Sequence, residues 1–155
     1  MQTSEEKFKE LVHRHKDMIW SVCKHYQLSA AWQTEDAFNE VLCALWLGYG
    51  SYDGRSSERT WVFKVANNTL ISIARRCSNQ HVAAPPPPDP SYGCEEAYNL
   101  RQMLEAIDEP DRTILRSHLY GFSYAEIAAI VGMNVGAVSM RLSRIKRKLR
   151  KIMID

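Results

Sequence analysis

The side chains with the most chemistry to offer lie near the C-terminus, where cations recur at helical spacing. On a helical wheel Gly136, Met140, Ser143, Arg144, Arg147 and Lys151 share one side, while Val135, Val138, Leu142, Ile145, Leu149 and Ile152 share the other. The apolar side must pack on preceding helices. A side with a glycine, small polar groups and arginines suits a major groove flanked by phosphates. A generic basic surface helix, one that binds RNA or a membrane, would have the same composition. The surrounding turn favours DNA: Gly132-Met133-Asn134 joins two helices tightly, as in a helix-turn-helix. Asn134 can cap the later helix, Ser123 to Glu126 reads as a capping box, and Phe122 with Ile127 reads as its hydrophobic staple.

Other reactive side chains form no such pattern. His13, His15, His25, His81 and His118 lack a spaced acid or nucleophile, and no HExxH or phosphate-binding glycine loop occurs. An enzyme is therefore disfavoured, and no catalytic residue is assigned. Cys23, Cys43, Cys77 and Cys94 include no CxxC pair, and Cys77 with His81 stands without a second pair. Metal sites need ligands at short fixed spacings. Reduced cytosolic thiols, with no metal and no cofactor, are the expectation.

No apolar run approaches the roughly 20 residues of a membrane span. The N-terminal MQTSEEKFKELVHRHK lacks the apolar core of a signal peptide. Both point to a cytoplasmic protein. The net charge of +2 conceals an asymmetry: residues 111–155 carry nine basic and three acidic side chains, whereas residues 81–110 carry one basic and six acidic. A concentrated basic end suits a polyanionic partner.

The elements that must position these groups are helical throughout. Phe8, Leu11, Val12, His15, Met18, Ile19, Val22, Cys23 and Tyr26 trace one face of a first helix. Thr34 can cap a second, whose stripe is Phe38, Val41, Leu42, Leu45, Trp46 and Tyr49. A turn at SYDGRSS precedes a third helix, Glu58 to Cys77. The proline run in HVAAPPPPDPSYG forbids helix and favours an extended linker. Beyond it, Glu95 and Glu96 open a helix that continues over Leu100 to Ile107. Pro110 suits a first helical position, and Gly121 and Gly132 suit helix stops. The expected fold is all-α: a three- to four-helix N-terminal bundle (1–80), a Pro-rich linker (81–95) and a C-terminal helix-turn-helix unit (96–155).

GFSYAEIAAIVGMNVGAVSMRLSRIKRKLR resembles the −35-reading region of extracytoplasmic-function sigma factors, whose pattern is G-L-S-Y-x-E-I-A, then V-G-T-V, then S-R-L-x-R-A. Regulators of the LuxR type share that pattern, so a free-standing helix-turn-helix regulator is the alternative. The first half discriminates. WQTEDAFNEVLCALW is similar to the segment that grips the polymerase clamp, and YDGRSSERTWVFKVANNTLISIARR to the −10-reading segment.

The resemblance implies roles residue by residue. Asp36, Asn39, Glu40 and Cys43, opposite Leu42 and Trp46, would bind the β′ clamp of core RNA polymerase, with the β flap as the C-terminal contact. Asn68 would take a flipped base of the melted −10 strand, Gly54, Arg55, Ser56 and Ser57 would wall its pocket, and Arg75 and Arg76 would hold phosphates. Tyr124, Gly136, Ser139, Met140, Ser143, Arg144 and Arg147 would face the double-stranded −35 element. Trp61, a large aromatic in an apolar helix, reads as core rather than as a stacking platform. The chain departs from the family at several positions. Glu58 replaces an aromatic and would repel phosphate; Ser72 replaces an aspartate; Ala137, Ser139 and Met140 replace a threonine, a basic residue and a serine. These departures weaken the expected −35 recognition and leave room for an anti-sigma factor or another recruiting protein.

Overall fold

A computed structural model of the chain describes residues 1–26, 33–78 and 107–154. The linker and the helix expected over Leu100 to Ile107 lie outside these residues, apart from Ile107, which is buried ahead of the next helix. The chain divides into two compact units, Met1–Pro86 and Pro87–Asp155. Among the described residues every regular element is a helix.

Three helices build the first unit: α1 (Ser4–His25), α2 (Thr34–Tyr49) and α3 (Glu58–Ser78), each packed on the other two. The start of α1 is fixed by a reciprocal cap. The Thr3 hydroxyl accepts from the Glu6 amide at 3.2 Å, and the Glu6 carboxylate accepts from the Thr3 amide at 3.0 Å. The expected cap of α2 is off by one residue. Thr34 is already helical, and the Asp36 carboxylate accepts the Gln33 amide at 3.2 Å. A carboxylate at the third helical position thus secures the amide of the cap residue, a different donor from the first-turn amides a Thr34 cap would serve. The Ser57 hydroxyl accepts from the Thr60 amide at 3.1 Å and starts α3.

Residues at three- and four-residue steps fill the core: Leu11, Ile19 and Val22 from α1, Ala37, Val41 and Leu45 from α2, and Val62, Phe63, Leu70 and Ile73 from α3. Burying each of the large ones stabilises by about 1.5–3 kcal/mol. Trp46 departs from its expected place in the stripe. It is exposed and packs edge-on against Phe8 at 5.0 Å. Asn67, the one buried side-chain amide among the described residues, accepts from the Tyr26 hydroxyl at 2.9 Å, so its burial leaves that oxygen satisfied.

In the second unit α4 (Asp111–Leu119), α5 (Tyr124–Val131) and α6 (Val135–Ile154) pack on one another. Pro110 precedes α4 as its cap residue rather than opening it. Gly121 and Gly132 take the left-handed backbone expected of them, at φ +85° and +73°. The Ser123 hydroxyl accepts from the Glu126 amide at 3.2 Å, and the Asn134 side chain accepts from the Ala137 amide at 2.7 Å. Ile114, Phe122, Ile127, Ile130, Val138, Leu142 and Ile145 are buried. Val135 is not: it sits on the first turn of α6, ahead of the seam, and is 47% exposed.

One cross-tie in the first unit runs counter to the electrostatic expectation. Glu58 accepts two hydrogen bonds from the Arg14 guanidinium, at 2.9 and 3.0 Å, and lies 2.8 Å from His15 Nε2. The acid at the head of α3 is thus bound to α1. Hydrogen bonding from Arg14, with His15 behind it, holds the Glu58 carboxyl below the usual glutamate range. A carboxylate whose pKa falls on folding stabilises above its unfolded value, and that contribution is lost as pH drops through the folded value. Glu58→Gln should therefore cost about 0.5–1 kcal/mol at neutral pH, the modest size reflecting partial exposure. The difference from the parent should shrink below pH about 4.3, the unfolded glutamate value. Urea unfolding followed by tryptophan fluorescence reads this unit alone, since Trp20, Trp32, Trp46 and Trp61 all lie within it.

Candidate nucleic-acid interface

Three exposed surfaces carry the residues singled out from the sequence. On α2, burial of Ala37, Val41 and Leu45 turns Asp36, Asn39, Glu40 and Cys43 to solvent. Cys43 is a free thiol on that surface, whereas Cys23 is buried and its thiol is pushed up to about 11 by burial. Leu47, one turn beyond Cys43, is 84% exposed. Sequence periodicity missed it, because a residue off the buried stripe carries no periodic signal. The stripe is acidic at its start and apolar at its end, and Asp36 also ties down the backbone that begins it.

On α3 two adjacent asparagines separate cleanly. Asn67 faces the core and Asn68 faces solvent. Lys64, Asn68, Ser72, Arg75 and Arg76 recur at three- and four-residue steps and are all exposed, forming one polar ridge. Lys64 joins this ridge through spacing alone. The loop before α3 is internally braced: Gly54 has φ +78°, Asp53 accepts from the Arg55 amide at 3.1 Å and pairs with its guanidinium at 3.0 Å, and the Tyr52 hydroxyl donates to the Ser56 carbonyl at 2.6 Å. Ser57 is occupied as the α3 cap. Trp61 is half-buried, its ring 5.0 Å from that of Tyr52. From Ser57 to Asn68 the helix rises about 16 Å, at 1.5 Å per residue. Loop and asparagine are therefore set about 16 Å apart along the axis of α3.

On α6, packing of Val138, Leu142 and Ile145 sends Gly136, Met140, Ser143, Arg144, Arg147 and Lys151 outward together. Ser139 lies half-buried at the margin. Lys146, Lys148 and Arg150 are exposed as well, and α6 contains no acid. Arg141 is the exception in direction: it pairs with Asp111 of α4 at 2.9 Å and holds α6 in place. Tyr124, exposed at the start of α5, lies against His118 with ring centroids 6.2 Å apart. The surface is a helix with a cationic, acid-free outer side, set off by a left-handed glycine and an asparagine cap, which is the shape and charge a DNA groove accepts.

Comparison with known proteins agrees with this layout. Residues 11–80 match the family model described as sigma-70 region 2, and residues 98–149 match sigma-70, region 4. The ECF RNA polymerase sigma factor SigW of Bacillus subtilis is 23% identical, over 97% of this chain and 91% of its own length. RNA polymerase sigma factor YlaC of the same organism is 27% identical, over 83% of this chain and 80% of its own. The sigma factor RpoE of Bartonella quintana, solved in complex with the anti-sigma factor NepR, superposes with a TM-score of 0.74 at 21% identity, over 95% of this chain and 96% of RpoE. A free-standing regulator would leave the region 2 match without an explanation. With region 2 followed by region 4, the chain belongs to the sigma-70 family, as an RNA polymerase sigma factor of the extracytoplasmic-function kind.

Proposed function

We propose that residues 1–80 dock on the polymerase clamp and open the −10 region, that residues 81–95 tether the units, and that residues 96–155 hold the −35 element. The observation that carries this division is the exposure of three chemically different surfaces: an acidic and apolar one on α2, a polar ridge on α3, and a cationic one on α6. Asp36, Asn39, Glu40, Cys43 and Leu47 form the polymerase contact. A basic partner helix fits the acidic end, and Leu47 gives it an apolar anchor. The chain performs no catalysis of its own, works in the cytoplasm beside its polymerase, and is open to regulation by an anti-sigma factor such as the one bound to RpoE.

On the α3 ridge, Asn68 offers an amide with both donors and an acceptor to a base edge, while Lys64, Arg75 and Arg76 follow the backbone. The loop from Gly54 to Ser57 contacts the strand upstream or downstream of Asn68. Glu58 adds little repulsion there, since Arg14 and His15 hold its charge. On α6, Arg144 and Arg147 are the strongest contacts, with Tyr124, Gly136, Ser139, Met140 and Ser143 lining the groove-facing side.

Four substitutions check these assignments. Glu40→Lys should lower affinity for core polymerase at least tenfold in a competition binding assay, because placing like charges together in a desolvated contact costs several kcal/mol. Unchanged affinity would remove α2 from the docking surface. Asn68→Ala should leave closed-complex formation intact and reduce permanganate-reactive open complex, by about 1–3 kcal/mol for one base-edge contact. Asn67→Ala should instead lower the stability of the first unit by about 1–3 kcal/mol, since it removes a buried amide and the bond it accepts from the Tyr26 hydroxyl. The two neighbours should thus fail in different assays. Arg144→Ala should cost about 1–3 kcal/mol at one −35 position if it reads a base. If it touches only phosphate, binding should weaken evenly and the salt slope should fall by about one.

A further inference from the structure

The outer side of α6 is poor in hydrogen-bonding readers where a recognition helix needs them most. Base edges are met by the N-terminal turns of such a helix. There, Asn134 is occupied by the Ala137 amide at 2.7 Å, Gly136 has no side chain, and Ser139 is half-buried. What projects freely is Met140, 67% exposed, with Ser143 and Arg144 one turn on. A methionine at this place on a groove-facing side offers apolar contact and no hydrogen bond, so an apolar group is what it can read. In the major groove the one apolar group on a base edge is the C5-methyl of thymine. Methionine is unbranched, polarizable and able to adjust to such a group.

We propose that Met140 is a specificity-determining residue that reads the methyl group of a thymine in the −35 element. The assignment rests on the reading of α6 as the groove-facing helix. Met140 and Arg144 lie four residues apart on one side, a rise of about 6 Å, so both can reach into the same groove. A 5-methylated cytosine presents the same methyl at the same place, and would be accepted there in preference to cytosine.

Deoxyuridine tests this directly, because it removes the methyl from thymine and leaves every hydrogen-bonding edge intact. Holoenzyme reconstituted with the full chain is titrated on promoter duplexes carrying deoxyuridine at one −35 thymine at a time. At one position binding should fall about three- to fivefold, the value of burying roughly one methyl group. Met140→Ala should lose the same factor on the thymine duplex and show no further loss on deoxyuridine, while Met140→Leu should retain most of the discrimination. A deoxyuridine penalty that persists in Met140→Ala, or no penalty at any position, overturns the assignment. Base-pair swaps across the −35 element and Arg144→Ala, measured alongside, separate the two levels. If they alter binding while deoxyuridine does not, Met140 alone is misassigned. If they too have no effect, α6 does not read DNA and the underlying reading fails with it.

Discussion

What α6 can present to a partner is decided by the seam where its Val138, Leu142 and Ile145 are buried as it packs on α4 and α5. A helix has one circumference, and once that stripe is buried the remaining residues have no choice of direction. Arg144, Arg147 and Lys151 point outward because Leu142 and Ile145 point inward. Removing a side chain from the seam would cost about 2–5 kcal/mol. That is far more than any single phosphate contact contributes, so the seam outranks the contacts it aims. The Arg141 pair with Asp111 fixes rotation about the same axis, using one cation of the helix for position rather than for DNA.

The first unit follows the same logic with a different sign of charge. Its core is apolar and its polar groups are satisfied internally, so the outer sides of α2 and α3 are free to specialise. Acids that could hinder a polyanion are put to other use. Asp36 holds the Gln33 amide, Asp53 pairs with Arg55, and Glu58 binds Arg14 and His15. Each is a short-range interaction of modest strength. The last two reduce the negative field around α3, while Asp36 and Glu40 keep the outer side of α2, the proposed polymerase contact, acidic.

Helix positions, stops and the cap at Asn134 were legible in the sequence because each depends on residues within four positions of one another. Gly121 and Gly132 are examples, and so is the buried stripe of α6 as far as it runs. Errors arose where a local signal had a competitor or an end effect. Thr34 lost the cap position to Gln33, because the Asp36 carboxylate reaches back to the Gln33 amide and the helix starts one residue earlier. Val135 fits the wheel but precedes the seam, and Trp46 fits the α2 stripe but lies at its edge against Phe8. The bond between Arg14 and Glu58 joins residues 44 apart and could not be read from spacing at all. For Asn67 and Asn68, adjacency hid the difference that burial makes plain.

Two weakly specific surfaces in one chain suffice for a specific whole. An arginine-rich helix such as α6 gains most of its affinity from phosphates, which carry no sequence information and make binding salt-dependent. The few groups that can read bases there, Met140, Ser143 and Arg144, discriminate by a few kcal/mol at most. In the proposed division of roles the α3 ridge adds discrimination of a different kind, because it is engaged only when the duplex opens and a base leaves the stack. Joining the two on one chain makes the second engagement intramolecular, so their free energies combine without a second loss of translational freedom. Promoter choice is then a property of the pair. The −35 contact needs only to hold the duplex long enough for melting to be sampled, and a loose reading helix is compatible with accurate initiation as long as Asn68 and its ridge reject strands that do not fit.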